Sequence, residues 1–65
     1  MSETVASGEV VVRDWRGNEW TEIVDVRECD LTDTDGSALT VEDAARRQAW
    51  RQAGGNVETL ECDIS

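Results

Sequence analysis

Between Glu9 and Arg27 two stretches rich in β-branched and aromatic residues flank Gly17-Asn18. That pattern predicts a two-stranded β-hairpin closed over those two residues. Pairing outward from the turn sets Arg16 against Glu19, Trp15 against Trp20, Arg13 against Glu22, Val12 against Ile23 and Val11 against Val24. Opposite charges, an aromatic pair and β-branched pairs in one register are the contacts that stabilise antiparallel strands. The register places Trp15, Arg13 and Val11 on one face with Trp20, Glu22, Val24 and Val26, and Val10, Val12 and Ile23 on the other. Both faces are then partly apolar, so each is expected to be covered.

Upstream, Met1 to Gly8 is small, polar and aperiodic and is expected to be a disordered lead-in. Downstream, Glu28 to Ser37 has no usable period and reads as a loop. A helix follows, opened by Thr40 and Asp43 in an approximate capping box and closed by Gly54-Gly55. At 100° per residue Val41, Ala44, Ala45, Ala49 and Ala53 share one side with Gln48 and Gln52, and Trp50 lies opposite, flanked by Asp43, Arg46 and Arg47. If the alanine side meets the sheet, Trp50 faces outward. Asn56 to Ile64 has a period of two, with Leu60, Cys62 and Ile64 in phase.

The predicted fold is therefore a small α+β domain, ββαβ, spanning residues 9–65. Its sheet has three strands, the N-terminal β-hairpin plus the C-terminal strand, with one helix packed on one face. A helical crossover makes the second and third strands parallel, whether adjacent or separated by the first.

Composition sharpens this picture. Sixty-five residues without Phe or Tyr form a thin core, near the lower limit for a domain that folds without staples. Help from a second chain is expected, either another copy in a homodimer or a different protein. Fifteen Asp and Glu stand against six cations, all Arg, for a net charge of -9. In composition alone the chain resembles proteins of salt-accumulating haloarchaea, where carboxylates keep surfaces hydrated and Lys is depleted. In molar salt the Debye length falls to about 3 Å and apolar burial strengthens. Without a basic leader, a long apolar run or a CxxC motif, the protein is expected to be cytoplasmic with reduced thiols.

Candidate chemistry is sparse. There is no His, Lys or Tyr, so acid-base catalysis would fall to carboxylates alone, and no enzyme, cofactor or structural metal site is expected. Asp33, Asp35, Ser37 and Glu42 match positions of a calcium loop, but its first position falls on Leu31, which has no side-chain oxygen. An acidic turn before a capped helix is the simpler account. Cys29 and Cys62 read as small buried hydrophobes near the carboxyl ends of strands two and three, which run the same way and so allow the two to lie close in space.

The residues singled out for partner binding are Trp15, Trp20, Arg46, Arg47, Trp50 and Arg51. Trp and Arg are enriched at interface hot spots. Each has a plainer alternative: Trp15 and Trp20 stacking across the hairpin, and Trp50 folding over its own helix. The Arg/Trp helix face also suits a nucleic-acid-associated regulator, against which the overall negative charge weighs.

Overall fold

The computed structural model describes residues 3–33 and 35–65. Strand β1 (Thr4–Asp14) pairs antiparallel with β2 (Glu19–Arg27) on one side and with β3 (Val57–Ile64) on the other, giving the order β2-β1-β3. The outer strands are thus parallel to each other, with β1 between them. Helix α1 (Val41–Gln52) crosses one face of the sheet. A 3-10 turn (Glu28–Leu31) and a short bridge between Thr32 and Ala38 lead into it.

Strand β1 starts five residues before the predicted hairpin. Thr4 to Gly8 of the expected lead-in is strand, and Ala6 belongs to the core; Met1 and Ser2 lie outside the described residues.

The hairpin register also differs from the predicted one. Val12 pairs with Trp20, Val11 with Thr21, Glu9 with Ile23 and Arg13 with Glu19. The loop is Trp15-Arg16-Gly17, closed by the Asp14 N–H to the Asn18 carbonyl at 3.0 Å and the Gly17 N–H to the Asp14 carbonyl at 3.1 Å. Asp14 organises it: its carboxylate accepts from the backbone N–H of Arg16 and of Asn18, both at 2.9 Å. Gly17 completes the turn at φ +90°, a backbone region that favours glycine. An odd displacement reverses which residues share a face.

The displacement brings Val10, Val12, Val24 and Val26 onto one face, where all four are fully buried. Burying one such side chain is worth about 1.5–3 kcal/mol, whereas a cross-strand pair contributes about 0.2–1 kcal/mol. Core burial therefore overrides the predicted charge and aromatic pairs, and Trp15 and Trp20 do not stack.

The helix follows its prediction. Thr40 Oγ1 accepts from the Asp43 N–H at 3.1 Å, and the chain leaves through Gly54 and Gly55, both at positive φ. Ala44, Ala45 and Ala49 are buried against the valines, and Trp50 faces out. In β3 a bulge leaves Leu60 unpaired, because Val11 faces Glu61 and Val12 faces Thr59. Cys62 and Ile64 pack against the core; Leu60, expected in phase with them, is displaced from that contact.

The turn carboxylate supplies a test. Asp14 feels a raising influence from desolvation, but hydrogen bonds from Asn18 and Arg16 outweigh it and hold its pKa below the usual carboxylate value. A depressed folded pKa contributes stability above the unfolded value, near 3.9, that is lost as pH falls through the folded value. Asp14→Ala is expected to lower the thermal midpoint at neutral pH. That deficit should narrow as pH falls below about 4, read by circular dichroism melts across pH. An equal deficit at all pH values would mean that the carboxylate's charge is not what holds the turn.

Candidate functional site

The topology places Trp15 and Trp20 at the hairpin end of the sheet and Trp50 on the outer side of the helix. Trp15 lies in the β1–β2 loop and Trp20 pairs with Val12 just beyond it. Trp50 sits in the last turns of α1, which runs back toward the hairpin loop, since the chain then enters β3 at Val57 opposite Asp14. Trp15 is 77% exposed and Trp50 45% exposed. Arg16 stacks its guanidinium 4.7 Å from the Trp15 ring centre, a cation–π contact.

Trp20 and Trp50 are each held by local structure. Trp20 packs on the core, and its indole N–H donates to Glu22 Oε1 at 2.8 Å. The Trp50 ring covers Gly55, where a Cβ would lie 3.5 Å from the ring. That contact matches the plainer reading of Trp50 while leaving its outer face open.

The helix arginines diverge. Arg46 reaches β3 and donates to the Thr59 Oγ1 at 3.0 Å and carbonyl at 3.3 Å, with Glu42 Oε1 at 3.6 Å. Arg47 turns the other way and forms a two-pronged pair with Asp33 at 2.7 and 3.2 Å. Arg51 lines a cleft of about 410 Å³ between α1 and the 3-10 turn, together with Cys29, Asp30, Asp33, Arg47 and Gln52. The structure thus separates Arg46 from Arg47 and Arg51 instead of joining all three around Trp50.

The same cleft decides the two features weighed beside the arginines. Asp33 is engaged by Arg47, Asp35 accepts from the Ser37 N–H at 2.9 Å, and Thr34 lies outside the described residues. Among the described residues no group of three or more His, Cys, Asp or Glu is arranged to hold a metal ion. Cys29 is exposed in the cleft beyond the end of β2, while Cys62 sits on β3 level with Glu22, across the width of β1. Burial, with Glu42 and Asp63 nearby, pushes the Cys62 thiol above its ordinary pKa against the pull of Arg46. A raised pKa keeps it a packed, unreactive group.

The sheet face opposite the helix is open. Val11 and Ile23 lie at its middle, Ile23 66% exposed, within a field of Glu9, Glu19, Asp25, Glu58, Glu61 and Asp63. Arg13, paired with Glu58, and Arg27, 3.9 Å from Asp25, bring positive charge to this field. Two such faces brought together would repel.

The two sheet edges differ in a way that the sequence did not signal. The outward N–H of Asp25 donates to Gln48 Oε1 at 2.8 Å, and the outward N–H of Arg27 donates to Asp30 at 3.0 Å. Gln52, with its amide nitrogen turned to the strand, donates to the Ile23 carbonyl at 3.0 Å and to Glu22 at 3.2 Å. Helix glutamines thus occupy the β2 edge.

Among the described residues no helix is long and apolar enough to cross a membrane. Comparison with protein-family models, curated protein sequences and solved structures finds no match.

Proposed function

We propose that this is a small, acidic, non-enzymatic protein-interaction or adaptor protein of a haloarchaeal cytoplasm, acting as a homodimer and recognising a partner protein through its exposed tryptophans. The observation that carries this reading is the exposure of two large aromatics, Trp15 at the hairpin loop and Trp50 on the outer side of the helix. Aromatic anchors of this kind dominate interface energetics, and the other large exposed hydrophobics among the described residues, Val5 and Ile23, are aliphatic. The all-Arg, carboxylate-rich composition supports the saline setting.

A nucleic-acid-associated regulator using Arg46, Arg47, Trp50 and Arg51 is the second reading. Arg46 and Arg47 already serve Thr59 and Asp33, which leaves less cationic surface for phosphate than the sequence suggested. Divalent-cation binding at Asp33 to Glu42 is less favoured still, since the Asp33 carboxylate faces a guanidinium.

Co-purification in concentrated KCl separates these readings. Trp15→Ala and Trp50→Ala are each expected to reduce recovery of the bound protein about tenfold or more, in line with loss of a hot-spot aromatic, and nuclease treatment to change nothing. Recovery unaffected by either variant would refute the proposal. Loss on nuclease treatment or with Arg47→Glu, sparing Trp15→Ala, would favour the regulator.

A further inference from the structure

The free edge of β3 exposes backbone groups that β2 does not. Ser7 and Ser65 exchange both N–H···O bonds at 3.1 Å, which fixes the alternation along the β1–β3 ladder. Glu9 with Asp63 and Val11 with Glu61 are then the next hydrogen-bonded pairs. Ile64 and Cys62 fall between them, opposite Gly8 and Val10, and turn their N–H and C=O groups away from β1. Arg46 occupies the edge at the Thr59 carbonyl, before the Leu60 bulge. Beyond the bulge, among the described residues, no hydrogen bond reaches the outward groups of Cys62 and Ile64.

We infer that this Cys62–Ile64 edge is where a second copy of the chain pairs, β3 against β3 about a two-fold axis at Asp63. The inference rests on the homodimer proposed above and assigns its surface. Antiparallel pairing centred on Asp63 sets Cys62 opposite Ile64 of the other copy, and Ile64 opposite its Cys62. Each of the two pairs exchanges both backbone bonds, so every bare donor meets a bare acceptor. On the core side, half-buried Cys62 and Ile64 cover one another's exposed flanks. The helix arginine and the bulge stay outside the paired stretch. The result is a continuous sheet, β2-β1-β3-β3-β1-β2, whose two occupied β2 edges end it. Its two hairpin loops, each bearing Trp15, point in opposite directions along the strands, which makes the dimer bivalent.

The same register carries a cost that makes it testable. Asp63 stands opposite its own copy in a non-hydrogen-bonded pair, the closest cross-strand spacing, and like charges there are destabilising. Molar salt screens this repulsion and strengthens burial of the apolar pairs. Dimerisation should therefore require salt, and Asp63 should be where the requirement originates.

Sedimentation velocity of the full chain in dilute and concentrated KCl tests this, with Asp63→Asn compared against Glu28→Gln, an equal change of charge at an exposed site away from the edge. The expected result is a wild-type dimer in concentrated KCl that dissociates in dilute KCl. Asp63→Asn should dimerise roughly fourfold or more tightly than Glu28→Gln in dilute KCl, the size of one contact repulsion in water. Asp63→Arg restores a like-charge pair and should dimerise less tightly than Asp63→Asn, although a simple net-charge effect would order them the other way. A wild-type dimer with Asp63→Asn indistinguishable from Glu28→Gln would overturn the edge assignment and leave the homodimer standing. A wild-type monomer at every salt concentration would overturn both.

Discussion

Gly8→Ala is expected to unfold the domain. Gly8 lies in the central strand, between Val24 of β2 and Ile64 of β3. A Cβ there would overlap the Asp63 carbonyl oxygen and sit 2.8 Å from the Ile64 Cα. Both obstructing atoms are backbone, so no rotamer change relieves the clash and β3 itself must move. Overpacking of side chains alone costs about 1–3 kcal/mol, and a displaced strand stands at or above the upper end of that range. Native domains have only about 5–15 kcal/mol in total, and one with this little core sits low in that interval. Circular dichroism in concentrated KCl should show loss of the cooperative melt for Gly8→Ala and its retention for Ser7→Ala, the exposed neighbour. A Gly8→Ala protein with an unchanged melting midpoint would show that β1 and β3 are not so closely apposed.

Ala49→Leu has the next largest expected effect. Ala44, Ala45 and Ala49 meet Val10, Val12, Val24 and Val26 with no side chain larger than valine in the fully buried set. The helix therefore rides close to the sheet, and leucine would have to lift it. The expected destabilisation is about 2–3 kcal/mol, against less than about 0.5 kcal/mol for Ala38→Leu on the exposed bridge before the helix. Urea titration in the presence of salt reads both. A neutral Ala49→Leu would mean that the layer between helix and sheet has unfilled space.

The parts of this fold that were legible in the sequence are those fixed by local chemistry. Thr40, Asp43 and the Gly54-Gly55 pair bound the helix because caps act within a few residues of the backbone they satisfy. The alanine stripe identified the buried face, and the helical crossover made β2 and β3 parallel. The hairpin register was not legible. Gly17-Asn18 has the form of a two-residue turn, but the Asp14 carboxylate and the joint burial of four valines favour a longer loop. Cross-strand pairing rules weigh less than core burial, and only the fold shows which valines can meet.

The site divides in the same way. Trp15, Trp20 and Trp50 were recognisable by type, and their separate settings, in the hairpin loop, on the core and on the outer side of the helix, follow from the course of the chain. The divergence of Arg46 and Arg47 depends on where β3 and the Asp33 turn lie on either side of the helix. The roles of Gln48 and Gln52 gave no sequence signal, because they act on the edge of a strand more than twenty residues away. That Cys62 and Ile64 leave their outward groups bare follows only once the ladder is known.

Self-association underlies the whole functional account, and the molar mass in solution tests it most directly. Light scattering after size exclusion, in concentrated KCl and across a range of protein concentrations, should give twice the chain mass of 7.2 kDa. A mass of one chain at every concentration would contradict the account. It would leave the β3 edge and the exposed tryptophans to be covered by a different protein.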